Sequence, residues 1–301
     1  VLTSKSPPEV TVIATSPAMR SVVALARKVA PMRVPVLLQG EAGAGKKLLA
    51  RLIHHHGGQP HSPFVHVPCA ALTDGIPWAQ LSTPRDANGN PPVTWWDHLN
   101  EESSAGTLFL EDVGELPLWA QVKLLDAMEE SWRTRLASDG QPVGSVRVIA
   151  STTSNLEAAA SDGLFLRRLY DHLNLVPIKV PALRERPQDI KDLARHFLEQ
   201  LHSALGLTAK RGVLEISDEL WTLLLRYPWP GNVGELATVM ARAILVRNGI
   251  GLDHSLREYL QALRQPAAAC EAISVPLTGN LKSIEHHIIR EVIRRYAGNK
   301  A

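Results

Sequence analysis

Eight consecutive residues, Gly40, Glu41, Ala42, Gly43, Ala44, Gly45, Lys46 and Lys47, sit between an apolar run at 34–38 and a helix-like stretch at 48–56. Glycines spaced this way let the backbone turn its N–H groups inward around an anion, and the helix that follows offers the positive end of its dipole. Lys46 is then placed to reach terminal phosphates, so strand, loop and helix together read as a nucleotide site. The competing reading is a glycine-rich turn with no ligand. Lys47 stands where the usual loop carries Ser or Thr, whose hydroxyl helps to hold Mg²⁺, and an ammonium cannot ligate a metal. Leu48 completes the phosphate-loop candidates as the first apolar residue of the helix.

A loop of this kind requires a strand that ends where a helix begins, and the rest of the first half supplies the same alternation. Apolar runs at 34–38, 64–67, 107–110 and 146–150 read as buried strands, with helical patterns at 19–30, 48–56, 116–132 and 155–160. Ser16 and Pro17 form a cap and first-turn pair ahead of the first helix. Alternation of strand and helix predicts an α/β fold with a parallel, helix-covered sheet and ligands at the carboxyl ends of its strands. After Pro181 the pattern becomes helical, at 188–205, 217–227 and 233–247, which predicts a small α-helical second unit. Residues 1–10 read as a linker start, 266–280 as an Ala- and Pro-bearing linker, and 281–296 as a last amphipathic helix. The chain opens on Val1, as expected of a segment cut from something longer.

At 301 residues with 45% hydrophobic content, the chain can bury a full core. Lys and Arg number 32 against 30 Asp and Glu, so no global field draws it to nucleic acid or to an anionic membrane. Cys69 and Cys270 are far apart and lack metal-ligand spacing, which points to reduced thiols in a cytoplasmic protein. No apolar stretch approaches the ~20 residues of a membrane span. The histidines His54, His55, His56, His61 and His66 suggest a metal, but neighbours on a helix point about 100° apart, so a solvated helix end is the expected reading. Trp95 and Trp96 read as core packing ahead of a partner-binding anchor.

A second motif runs from Gly106 through an apolar strand to Glu111 and Asp112, the pattern by which phosphate-loop enzymes hold Mg²⁺ and polarise water. With Ser16-Pro17-Ala18-Met19, Pro63-Phe64-Val65, Cys69-Ala70-Ala71-Leu72, Arg147-Val148-Ile149-Ala150, Leu183-Arg184-Glu185-Arg186 and Tyr227-Pro-Trp-Pro-Gly-Asn-Val233, residues 11–265 resemble the AAA+ domain of bacterial enhancer-binding proteins, the sigma-54-dependent transcriptional activators. The resemblance implies an AAA+ α/β nucleotide-binding subdomain at 11–180 and an α-helical lid at 181–265. It also implies a truncated Fis-type helix-turn-helix domain beginning at 281–301. ATP or ADP with Mg²⁺ is the implied ligand, held by residues 40–48 and Arg184, with Glu111 and Asp112 as metal-binding and catalytic acids. The implied partners are RNA polymerase, DNA through the missing C-terminal domain, and further copies of the chain as a dimer or ring.

Departures from the family pattern are as informative. The GAFTGA loop that grips sigma-54 is replaced by Asp86-Ala-Asn-Gly-Asn-Pro-Pro92, which has turn chemistry and no Phe-Thr element. The family's Asp-Glu pair is inverted as Glu111 and Asp112, and the Asn that restrains its catalytic Glu is matched by Pro68. The arginine fingers align with Leu166 and His172, with Arg167 one residue away; the sensor Arg aligns with Gly234 and the sensor Asn with Thr153. Fingers alone are worth ~10³ to 10⁵ in rate. The expectation is a nucleotide-binding regulatory domain of the response-regulator or enhancer-binding type, with hydrolysis weak or lost, acting with another sigma factor or as a repressor. The rival readings are a working ATP-driven sigma-54 activator and a receptor for a cyclic dinucleotide.

Overall fold

The computed structural model describes residues 11–58, 62–72, 106–137, 146–204, 216–245, 254 and 256–257. Segment 86–92, Trp95, Trp96, His61, Cys270, the leading residues 1–10, the linker 266–280 and the closing 281–301 lie outside the described residues.

Five strands form one parallel sheet in the order β2-β3-β4-β1-β5: β1 (Val36–Gln39), β2 (Phe64–Pro68), β3 (Thr107–Glu111), β4 (Arg147–Thr152) and β5 (Pro177–Lys179). On one face lie α1 (Pro17–Val29) and α2 (Lys46–His55), which cover Val36, Leu38, Phe109, Ile149 and Ile178. On the other lie α3 (Leu118–Ala137), α4 (Leu156–Ser161) and α5 (Arg167–Leu173), which cover Leu37, Leu108, Leu110, Val148 and Ala150. Alternate residues of each strand therefore serve opposite layers. A strand buried on both faces has no polar side, which is why these runs are continuously apolar.

The four expected strands are present and a fifth joins them. β5 is three residues long, begins at Pro177 and buries only Ile178, so it carries little apolar signal; its place at the sheet edge is where a strand proline is tolerated. α5 was likewise not expected as a helix; it lies in the stretch that carries the finger-aligned positions.

Beyond the sheet the described residues are helical: α6 (Pro187–Ala204), α7 (Asp218–Arg226) and α8 (Asn232–Leu245). They close a separate core around Trp229, whose indole Nε1 donates to the Leu224 carbonyl at 2.9 Å and whose ring meets Tyr227 edge to face at 5.0 Å. No described helix is long and apolar enough to cross a membrane.

One buried carboxylate joins the two units. Asp189, on the first turn of α6, accepts the backbone N–H groups of Thr15 and Ser16 at 2.8 and 2.6 Å, and the Ser16 hydroxyl at 2.9 Å. Ser16 in turn caps α1 by accepting from the Met19 N–H at 3.2 Å. Arg186 lies 3.9 Å from Asp189 and donates to the Ala44 carbonyl at 2.7 Å, carrying the tie into the phosphate loop. Asp189→Asn removes the charge that faces two N–H groups and Arg186, and turns the oxygen that accepts the Ser16 hydroxyl into a donor. Urea unfolding should show a loss of about 2 to 3 kcal/mol, the range for a hydrogen bond to a charged group left unmade; a loss under about 0.5 kcal/mol, that of an ordinary surface change, would contradict this tie.

Candidate functional site

The carboxyl ends of β1, β3 and β4 lie side by side, with Gln39 paired to Thr152 and Pro68 of β2 paired to Glu111. The chain leaving β1 turns through the glycine loop into α2. Gly43 and Gly45 have φ of 72° and 104°, left-handed values that side chains disfavour, and Gly45 starts the helix without a side-chain cap. The first-turn N–H groups of α2 therefore stay available at the loop, as an anion site needs.

Lys46 is 7% exposed, and its Nζ donates to the carbonyls of Gly40 at 2.8 Å and Glu41 at 3.0 Å. Burial pushes its pKa down, opposed by the charges of Asp112 and Glu111. A cleft of about 510 Å³ opens beside it, lined by Ala42, Gly43, Gly45, Lys46, Lys47 and Leu48 from the loop and helix, with Arg51, Glu111 and Asp112. The two sequence motifs, more than sixty residues apart by number, thus meet in one place.

Glu41 and Arg184 are not among the residues that line that cleft, and they pair with each other between loop and lid. Arg184 donates to both carboxylate oxygens of Glu41, one at 2.7 Å, and Asn232 Nδ2 adds a third bond at 3.1 Å. Arg184 therefore reaches the loop through Glu41 instead of lining the cleft. Arg186 is buried against Asp189 and Ala44. Asn232, which the sequence offered only as part of a family string, donates to the Ala42 carbonyl at 2.9 Å and accepts the Leu183 N–H at 2.7 Å. The Val233 N–H donates to Gly43 at 3.1 Å, and a Cβ on Gly43 would stand 2.3 Å from the Gly231 carbonyl oxygen.

At the second motif Glu111 is already engaged: His66 Nε2 lies 2.6 Å from its Oε2, and Lys47 Nζ lies 3.2 Å from His66 Nδ1. The Asp112 N–H donates to the Ser151 hydroxyl at 3.2 Å, while its Oδ1 is buried with no hydrogen-bond partner among the described residues. This set suits Mg²⁺ poorly. The ion wants near-octahedral oxygen donors; here His66 holds one oxygen of Glu111, no residue lining the cleft bears a hydroxyl, and a lysine occupies the position of the metal-binding hydroxyl.

The aligned catalytic positions are filled by groups with structural partners. Leu166 packs against the core beneath α3 and donates its N–H to Gln121 at 2.8 Å. His172 is 3.8 Å from Glu129, which also receives Arg168 at 2.6 Å. Arg167 is exposed, bonded to Asp171 at 3.1 Å and stacked over Tyr170 at 5.3 Å. Pro68 offers Glu111 no side-chain donor, Thr153 is exposed, and Gly234 has only Gly43 within 4 Å of an added Cβ.

The histidine run is more structural than a solvated helix end. His54 is partly buried and bonds Thr107 at 2.9 Å, its pKa pushed down first by burial, and His56 bonds the Leu52 carbonyl at 3.0 Å. No metal-binding group of three or more such residues occurs among the described residues. Cys69 is buried, and burial with the acids Asp112, Glu111 and Glu115 nearby pushes its thiol up to about 12, which excludes a reactive thiolate at neutral pH.

Hydrogen bonds from Arg184 and then Asn232 hold the Glu41 carboxyl at about 2, against its ordinary 4.5. Because the folded value is the lower one, the clamp's stabilisation is complete above about pH 4.5 and fades as pH falls toward 2. The unfolding midpoint of Glu41→Gln should therefore lie below that of the parent at pH 7, the gap narrowing below about pH 4.5 and closing only as pH falls to about 2. A gap that is constant with pH would show that the clamp does not depend on this charge.

The sigma-54 interaction domain family matches residues 12–179, and the AAA+ ATPase lid domain family matches 184–271. Regulatory protein AtoC of Escherichia coli (strain K12) is 33% identical over 296 residues, which cover 96% of this chain and 63% of that protein. The Sigma54-dependent transcriptional activator SfnR of Pseudomonas putida is 38% identical over 229 residues, covering 76% and 62%. Crystalline NtrX from Brucella abortus in complex with ADP aligns with a TM-score of 0.67 at 27% identity, covering 97% of this chain and 64% of that one. The chain thus spans somewhat under two thirds of the length of these relatives. With more than half its residues matched, and with the parallel sheet, phosphate loop and helical lid in place, the chain belongs to the sigma-54 interaction domain family of AAA+ transcriptional regulators.

Proposed function

We propose that this chain is the nucleotide-binding regulatory domain of a bacterial DNA-binding transcription regulator, with ATP hydrolysis weak or lost. The observation that carries the reading is the contrast within one cleft: the phosphate loop is fully built around Lys46, while Glu111 is bonded to His66 at 2.6 Å. Binding needs only the loop, the helix end and a cation. Hydrolysis needs in addition a placed water and charge stabilisation in the transition state. Pro68, Leu166 and Gly234 bring no polar side chain to those tasks.

ATP or ADP is the ligand in this reading, with residues 40–48 as its cradle and the bond between Arg184 and Glu41 holding the lid over it. That NtrX was solved in complex with ADP and with ATP supports an adenine nucleotide as the ligand. The proposal divides the chain at 11–180 and 181–265, with DNA contacted by a domain that begins at 281–301. Polymerase contact is independent of sigma-54, on the strength of the sequence at 86–92. With Leu166 and His172 at the finger positions, nucleotide bridges between subunits are weak, so the chain runs as a monomer or dimer instead of a nucleotide-driven ring.

Calorimetric titration of the purified chain with ATP, ADP, GTP and cyclic dinucleotides tests the ligand. ATP or ADP should bind, and Lys46→Ala should weaken binding about ten- to a hundredfold, the worth of one charge-assisted phosphate bond. A preference for a cyclic dinucleotide would replace the ligand, and unchanged affinity in Lys46→Ala would remove the loop from the site. Phosphate release should stay far below ~1 per second, the low end of ordinary enzymes. Faster release would restore the working-ATPase reading, with Arg167 as the first finger to test, and a nucleotide-dependent hexamer in sedimentation would do the same for the ring.

For the partner, the full-length regulator should act on its promoters in cells lacking sigma-54. Activation that vanishes on deleting sigma-54 and returns on restoring it would overturn this part and turn attention to Trp95 and Trp96.

A further inference from the structure

Three side chains from three elements stand in line at the mouth of the cleft: Lys47 from the first turn of α2, His66 from β2 and Glu111 from the end of β3. An ammonium can only donate, so His66 Nδ1 accepts from Lys47, and the imidazole proton on Nε2 is donated to Glu111. Every bond in the row then runs one way, and the partners fix the ring tautomer. The row places a lysine cation one imidazole away from the acid that would hold a metal. Arg51 adds a second cation one turn along α2, on the same face of the helix. The cleft therefore holds Lys46, Lys47 and Arg51 against two carboxylates, one of them already bonded to His66.

We propose that this cleft binds a nucleoside triphosphate without a divalent cation, the charge of the metal being supplied by Lys47 and held in position by His66 and Glu111. The proposal rests on the reading of the cleft as a nucleotide site and adds how the phosphate charge is met there. Polyphosphate needs compensating positive charge, which a metal supplies in ordinary phosphate-loop enzymes. Here a metal at Glu111 would share that acid with His66, and Lys47 stands where the usual loop offers the metal a hydroxyl, with none on the cleft wall in its place. A lysine is a compact point charge that binds phosphate without those geometric demands. It cannot orient a water for attack as metal and acid do together, so an internal cation favours holding the nucleotide over cleaving it.

Calorimetry on the 301-residue chain decides the question, with ATP titrated in excess EDTA and in excess magnesium chloride. ATP should bind at least as tightly in EDTA as with magnesium. Lys47→Ser should weaken binding in EDTA by about tenfold, the loss of one charge-assisted contact, and make magnesium strengthen it; Lys47→Arg, which keeps the charge, should retain binding in EDTA. Binding of ATP to the parent chain only with magnesium would overturn the proposal and leave the nucleotide reading standing. Binding in neither solution would overturn both. Undiminished binding of Lys47→Ser in EDTA would remove Lys47 from the site, and the two titrations of the parent chain decide the case even if that variant does not fold.

Discussion

Asn232 is the side chain on which the arrangement of the site depends. It is fully buried, and its amide bonds three groups on two segments: the Ala42 carbonyl and the Glu41 carboxylate of the phosphate loop, and the Leu183 N–H at the entrance to the lid. The Leu183 N–H is buried and the Ala42 carbonyl bond is part-buried, so the amide satisfies loop and lid together. Its backbone sits at φ 53°, a left-handed value that Asn tolerates better than most side chains. The turn that presents it is fixed in turn by Glu235, which accepts from the Gly231 N–H at 2.8 Å and the Tyr227 hydroxyl at 2.9 Å.

Loop conformation and lid position are consequently one equilibrium. The lid contacts the loop through Asn232 and the Val233 N–H, through Arg184 on Glu41, and through Arg186 on Ala44. Arg186 stands beside Asp189, which also holds the residues that start α1. A ligand that changed the loop backbone would act on each of these contacts, and anything that pulled on Thr15 and Ser16 would reach the loop by the same bonds. The size of such a response is set by the difference in contact energy between the two arrangements.

Much of this frame is legible in the sequence because the physics that builds it is local. A strand covered on both faces is mostly apolar, and the apolar runs in β1, β3 and the middle of β4 announce themselves that way. Ser16 with Pro17, and glycines where φ must be positive, mark helix starts directly. β5 escapes detection because three residues with one buried side chain carry no period. The row of Lys47, His66 and Glu111 escapes because its members are 19 and 45 residues apart, and only sheet register brings them together. His66 is paired with Phe109, two residues before Glu111, so the imidazole and the carboxylate lie on one face as diagonal neighbours. The one available signal was a histidine inside an apolar strand run, where a polar side chain needs a partner.

The glycines of the loop carry less weight for function than their motif suggests, and the structure shows why. Gly43 is required by the architecture itself: a side chain there would strike the Gly231 carbonyl oxygen whether or not phosphate were ever bound. Gly45 is different, since nothing lies within 4 Å of an added Cβ and only its φ of 104° calls for glycine. Lid docking thus explains part of the motif without a ligand. It does not explain Lys46, a buried ammonium held by two loop carbonyls at the edge of a cleft. A hydrocarbon side chain would fill that volume without the desolvation that already lowers its pKa. The nucleotide reading therefore stands on the lysine more than on the glycines.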